Sequence, residues 1–141
     1  MEWDTALCRN LMRRIVLMVD DNRLSLEPLE IALLPRKDLE VRVVSTAQEA
    51  LTFLAVSETP VAAVVTDLHL RLSRIDGFEL IEHVRAQPSL AHLPIIVISG
   101  DSESETPGRV KALGAAYFSK PYSPGAVRQA LEQLLDVQQR S

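Results

Sequence analysis

Three carboxylates stand where two apolar runs end. Asp20 and Asp21 follow Ile15-Val16-Leu17-Met18-Val19, and Asp67 follows Val61-Ala62-Ala63-Val64-Val65-Thr66. Continuous apolar runs of this length read as strands buried on both faces, as in parallel sheets. Ligands of open α/β sheets bind in the crevice at the carboxyl ends of the strands, so two such strands in one sheet would bring the three acids together. At an effective dielectric of about 20, two carboxylates roughly 4 Å apart repel by about 4 kcal/mol. A hard divalent cation such as Mg²⁺, which takes oxygen ligands, is the natural counter-charge. Two more polar groups end later runs: Ser99 after Ile95-Ile96-Val97-Ile98, and Lys120, followed by Pro121, after Ala115-Ala116-Tyr117-Phe118-Ser119. An acid pair, a single acid, a hydroxyl and an ammonium therefore occupy four strand ends in chain order.

The elements that must position them alternate strand with helix five times. Leu39-Glu40-Val41-Arg42-Val43-Val44 partly alternates in polarity, as an edge strand does. Thr46-Ala47-Gln48-Glu49 is a capping box, opening a helix whose inner face carries Ala50, Leu51 and Leu54. Asp76 is placed to cap a helix burying Phe78, Ile81 and Val84. Ser123-Pro124 supplies a cap and a first-turn proline for a last helix with the stripe Val127, Ala130, Leu131, Leu134 and Leu135. Alternating βα units imply parallel strands, right-handed crossovers and helices on both faces. Two places read poorly. Pro28 inside the first helix predicts a kink or a late start. Thr106-Pro107-Gly108 predicts a fourth helix of only about two turns, capped by Thr106 and ending near Gly114, with residues 101–105 as loop.

Taken together, Val19-Asp20-Asp21-Asn22, Val65-Thr66-Asp67-Leu68, Asp76-Gly77-Phe78-Glu79-Leu80, Ile98-Ser99-Gly100 and Lys120-Pro121-Tyr122 resemble the receiver domain of two-component response regulators. Each piece alone is weak; five in order, each at a strand end or helix start, are specific. The resemblance runs from about Arg14 to Val137. It implies an α/β, flavodoxin-like (βα)5 doubly wound sheet with five parallel strands in the order 2-1-3-4-5. The expected organisation is an N-terminal extension over 1–13, a receiver domain over 14–138 and a tail over 139–141.

The resemblance also implies roles. Asp67 would be the phosphoacceptor, and Mg²⁺ would be held by Asp21 directly, Asp20 through water, Asp67 and the backbone carbonyl of His69. Lys120 would pair with Asp67 and then with a phosphoryl oxygen, to which Ser99 would also donate. Ser99 and Tyr117 would be the switch pair, and the Lys120–Pro121 peptide would be cis. The expected partners are a sensor histidine kinase or phosphotransfer protein upstream and an unknown protein downstream. On this reading the chain is a phosphoacceptor switch that catalyses only its own phosphotransfer and dephosphorylation. No output domain is expected, because nothing after Val137 is long enough to form one; a fragment of a hybrid kinase or larger regulator is the alternative. A Mg²⁺-dependent aspartyl phosphohydrolase is a second alternative, but such enzymes carry another acid two residues after the nucleophile, where this chain has His69. A pseudo-receiver would lack Asp67 or Lys120.

The chain departs from the family between Asp67 and Gly77. It has no proline there and is about two residues longer, and this loop carries Arg71 and Arg74. The Gly114–Lys120 segment is one residue short. Composition excludes several other classes. A chain of 141 residues with a net charge of −4 suits one soluble domain and gives no basis for nucleic-acid binding. No apolar stretch reaches membrane-span length, and Glu2 and Asp4 stand where a signal peptide would be basic. A single cysteine, Cys8, fits a cytoplasmic location. His83 and His92 have no ligand-spaced partners. Trp3, Leu7 and Leu11 have the spacing of a short amphipathic helix.

Overall fold

The apolar runs form the sheet they predict. In a computed structural model, which describes residues 13–101 and 103–140, β1 (Arg14–Val19), β2 (Leu39–Val44), β3 (Val61–Thr66), β4 (Ile95–Ser99) and β5 (Ala116–Ser119) make one sheet in the order β2-β1-β3-β4-β5. All four pairings are parallel. The three central strands are buried almost throughout, while β2 and β5 at the edges are mostly half-buried. The helices are α1 (Glu27–Leu33), α2 (Ala47–Val56), α3 (Gly77–Ala86), α4 (Thr106–Ala112) and α5 (Pro124–Arg140). Two apolar clusters cover the two faces. One joins the sheet to α2, α3 and α4 around Leu17, Val64, Ile81 and Val97; the other joins it to α1 and α5 around Val16, Leu29, Ile96 and Leu131. Cys8 and the Trp3, Leu7 and Leu11 pattern lie outside the described residues.

The start signals act largely as read. Thr46 accepts a hydrogen bond from the Glu49 N–H at 3.1 Å, but the reciprocal arm from Glu49 reaches the Ser45 N–H rather than that of Thr46. Asp76 caps α3 through the Glu79 N–H, and Ser123 caps α5 through the Ala126 N–H. Pro28 enforces a late start: Arg23–Leu26 form a 3-10 turn, and the proline falls in the first turn of α1, where its missing N–H costs nothing. Two boundaries differ from expectation. α5 runs to Arg140, past the limit of about Val137 reached by the resemblance. Thr106 is the first residue of α4 rather than its cap; Glu105 holds the cap position without a side-chain hydrogen bond.

The segment that looked one residue short is a Schellman turn. Gly114 takes φ +74, its N–H donates to Lys111 O, and the Ala115 N–H reaches back to Val110 O. The chain thereby passes from α4 into β5 almost without a loop. This helix of seven residues is too short to stand alone, and tertiary contacts hold it. Val110 is fully buried, and the Arg109 guanidinium lies 3.8 Å above the Phe78 ring of α3.

From α3, Arg85 donates to the carbonyls of Leu113 and Gly114, both at 2.9 Å, and to those of Ala91 and Leu93. Burial pulls this guanidinium below its usual pKa. Its partners are carbonyls, two of them at the negative end of the α4 dipole. Removing it leaves several carbonyls unpaired, each costing on the order of 1 kcal/mol or more. Arg85→Met is therefore expected to lower unfolding free energy by about 2–3 kcal/mol. It should also speed amide exchange at Val110–Leu113, checked by urea denaturation and hydrogen exchange.

Candidate functional site

Strand register decides which polar groups meet. Val19 of β1 pairs with Thr66 of β3, so the next residues, Asp20 and Asp67, are lateral neighbours. The ladder extends past the strand ends: the Asp67 N–H donates to Val19 O at 3.1 Å, and the Lys120 N–H to Ser99 O at 2.9 Å. Asp20, Asp21, Asp67 and Lys120 thus line one open cavity of about 460 Å³, together with Asn22, His69, Arg71 and Gly100.

The acids are held apart in kind. Asp20 is 2% exposed. Its Oδ1 accepts the Asn22 N–H at 2.9 Å, and its Oδ2 accepts the Ser25 hydroxyl and the Lys120 ammonium, the latter at 3.3 Å. Asp67 is 8% exposed. Its Oδ1 accepts the His69 N–H at 3.1 Å, and its Oδ2 receives Lys120 Nζ at 2.7 Å. Asp21 stands at the rim, where its Oδ2 accepts the Arg71 N–H at 3.2 Å. Burial disfavours the Lys120 charge, but the hydrogen bond to Asp67 and the charges of Asp67 and Asp20 outweigh it and hold the ammonium above its usual pKa. The repulsion expected between strand-end carboxylates is thus offset here by the protein's own lysine. The Lys120–Pro121 peptide is cis. Tyr122 steadies the same end by donating to Ser25 O at 2.6 Å, and burial pushes its phenol up.

Ser99 is fully buried, and its Oγ accepts the Asp101 N–H at 3.2 Å. Asp101 links several groups. Its carbonyl accepts the Tyr117 hydroxyl at 3.2 Å, and its carboxylate accepts the Glu103 N–H at 2.8 Å and lies 3.3 Å from His69 Nε2. The Glu103 N–H, the Thr106 hydroxyl and His69 keep that carboxyl below the usual range. Ser99 and Tyr117 therefore do not touch through a hydrogen bond of their own; the Asp101 backbone joins them.

The approach of α3 to the Asp67 backbone depends on Gly77. A methyl on it would collide with the Asp67 carbonyl oxygen and lie 2.7 Å from Leu68 Cα. Only glycine allows α3 to start against the backbone of the acid. Asp101 and Ser25 lie in no motif, and the contact of Tyr122 with Ser25 is not given by the motif that contains Tyr122: these roles come from backbone atoms and from neighbours distant in sequence.

The donor set suits a hard cation. All three carboxylates present oxygen, but among the described residues no three Asp, Glu, His or Cys side chains come close enough to enclose an ion. Mg²⁺ needs no such cage, since it keeps several waters and takes one or two carboxylates. Asp21, half-exposed and not shared with Lys120, is the donor best placed for it.

This fold and constellation define a class. Residues 16–132 match the response regulator receiver domain. The chain is 32% identical over 120 residues to the two-component response regulator ORR13 of Oryza sativa subsp. japonica, covering 84% of this chain and 96% of that one. It is 37% identical over 109 residues to an NtrX-like response regulator of Rickettsia conorii, covering 77% of this chain but 22% of that protein; the chain spans about a fifth of such relatives. Among solved structures, a response regulator receiver protein from Pseudomonas putida superposes with a TM-score of 0.74 at 32% identity, covering 86% of this chain and 97% of that one. The chemotaxis response regulator CheY4 of Vibrio cholerae shares the fold, with a TM-score of 0.71 at 24% identity over 86% of this chain and 98% of that one. The chain belongs to the receiver-domain family of two-component response regulators. Among the described residues no helix is long and apolar enough to cross a membrane.

Because the folded Lys120 pKa is raised above 10.5, its contact with the acids stabilises the fold fully below that value and is lost as pH rises through the folded pKa. Lys120→Met is expected to be less stable by about 2 kcal/mol at neutral pH. It should lose less stability than wild type between about pH 10 and 12, as chemical denaturation across that range would show, with the same comparison in a Tyr122→Phe background removing the phenol that Lys120 also influences.

Proposed function

We propose that this receiver domain, spanning 14–138, takes a phosphoryl group onto Asp67 and passes the change to a downstream protein through Ser99, Asp101 and Tyr117. The observation that carries this reading is the Lys120 ammonium bonded to both Asp67 and Asp20 at the floor of an open cavity. An Asp67 carboxylate oxygen attacks the phosphorus of a phosphohistidine on a sensor kinase or phosphotransfer protein. The O–P bond forms, the P–N bond breaks, and the electron pair stays on the imidazole nitrogen, which takes up a proton. Phosphoryl transfer of this kind demands mainly positioning and charge neutralisation. Lys120 follows the charge from carboxylate to phosphoryl oxygen. Asp20, Asp21, Asp67 and the His69 carbonyl would hold Mg²⁺, which would add positive charge beside the phosphoryl oxygens.

Ser99 has one hydroxyl, and turning it to the phosphoryl group releases the Asp101 N–H. Asp101 carries the Tyr117 hydroxyl on its carbonyl and the first turn before α4 on its carboxylate. Movement of one backbone segment thus reaches both α4 and β5. A phosphoryl group shifts this equilibrium only by what it gains from Ser99 in one state over the other. His69, two residues after Asp67, leans on Asp101 and limits water approaching the phosphorus. That orientation argues against an aspartyl phosphohydrolase, in which this position supplies an acid. On this reading the chain turns over no external substrate and works in the cytoplasm.

Beryllofluoride with Mg²⁺, or a small phosphodonor, is expected to occupy Asp67. Asp67→Asn should abolish both, since an amide is a poor nucleophile; mass spectrometry placing the phosphoryl group elsewhere overturns the assignment. Ser99→Ala is expected to retain phosphorylation but to lose most of the NMR shift at Tyr117. Equal shifts in both proteins would exclude coupling through the hydroxyl.

A further inference from the structure

The ten residues between β3 and α3 form an anchored loop. Leu70 is buried in the core below it. The Ser73 N–H donates to Leu70 O at 3.0 Å. Ser73 Oγ accepts the Ala47 N–H at 2.8 Å, satisfying a first-turn donor of α2 that has no partner within its helix. The Arg71 N–H, between these anchors, is bonded to Asp21. The backbone of residue 71 is therefore fixed relative to the acids. Arg71 lines the same cavity as Asp67, it is exposed, and its guanidinium makes no ion pair among the described residues. Arg74, three residues on in the same loop and equally exposed, does not line the cavity.

The charges in the cavity leave a task for this guanidinium. Lys120 is already shared between two acids. A phosphoryl group on Asp67 replaces one negative charge with about two. Arg71 is the other permanent cation on the cavity wall, and its planar fork fits two phosphoryl oxygens at once. We propose that Arg71 is a phosphoryl-binding residue of this site, supplied by the loop between β3 and α3, which grips the non-bridging oxygens of the group on Asp67. This rests on Asp67 being the acceptor.

Beryllofluoride binding at fixed Mg²⁺, followed by fluorine NMR, tests it together with the rate of phosphoryl uptake from phosphoramidate. In that uptake the P–N bond breaks, the Asp67 O–P bond forms and ammonia leaves. Arg71→Ala is expected to weaken beryllofluoride binding and slow uptake by about tenfold or more, and Arg71→Lys to recover only part. Arg74→Ala should match wild type in both. Because Arg71→Ala keeps the N–H that binds Asp21, its melting temperature and its Mg²⁺ affinity without the anion should not fall, so a damaged fold or metal site would be recognised by those readouts. Arg71→Gln, which keeps hydrogen-bonding capacity without charge, should resemble Arg71→Ala. Beryllofluoride affinity and uptake in Arg71→Ala within twofold of wild type would overturn the proposal while leaving Asp67 as acceptor, and full recovery by Arg71→Lys would overturn its forked grip. Failure of wild type to be modified at Asp67 would remove both readings.

Discussion

Two carboxylates on neighbouring strand ends, nearly out of water and sharing one ammonium, set the terms for the rest of this molecule. The pairing of Val19 with Thr66 makes the proximity of Asp20 and Asp67 unavoidable once β1 and β3 lie side by side. Burial then raises the cost of leaving either charge unmatched. Lys120 meets that demand from the far edge of the sheet, and its place follows from the bond between its N–H and Ser99 O at the end of β4. The site is thus held by sheet register first and by side-chain choice second. The ammonium that balances Asp67 is also bonded to Asp20, and through Asp20 the site is joined to Ser25 and Tyr122.

On the β4 side, connection runs through the backbone of one residue. The N–H of Asp101 is tied to Ser99, its carbonyl to Tyr117, and its carboxylate to the turn entering α4. Among the described residues every buried side-chain polar atom has a partner, and a rotation of the Ser99 side chain away from Asp101 would leave the Asp101 N–H to find another acceptor. Such an exchange of partners is a discrete rearrangement rather than a gradual one, which suits a two-state element.

The short α4 shows how tertiary contacts replace local preference. Pro107, Gly108 and a length of seven residues argue for a marginal helix. Tertiary contacts support it: Val110 is buried, Arg109 covers Phe78, and Arg85 holds the carbonyls at the helix end. Arg85 is also among the groups that link α3, which begins against the Asp67 backbone at Gly77, to the helix beyond Asp101. Both ends of α4 are therefore tied to elements that touch the acid.

The sequence by itself determined the sheet, the order of its polar strand ends and most helix starts. Those features rest on period, apolar runs and caps within a few residues of one another, as at Asp76 with Glu79 and Ser123 with Ala126. The acids, Ser99 and Lys120 were legible for the same reason: each closes an apolar run. Tertiary structure alone decided that Lys120 bonds Asp20 as well as Asp67, that Asp101 stands between Ser99 and Tyr117, and that Arg85 serves four carbonyls. It alone tied the extra residues after Asp67 down through Ser73 and Ala47. These contacts join positions from 16 to 100 residues apart or use backbone atoms that every residue carries, so no local pattern could encode them; they exist only once register and packing have brought the partners together.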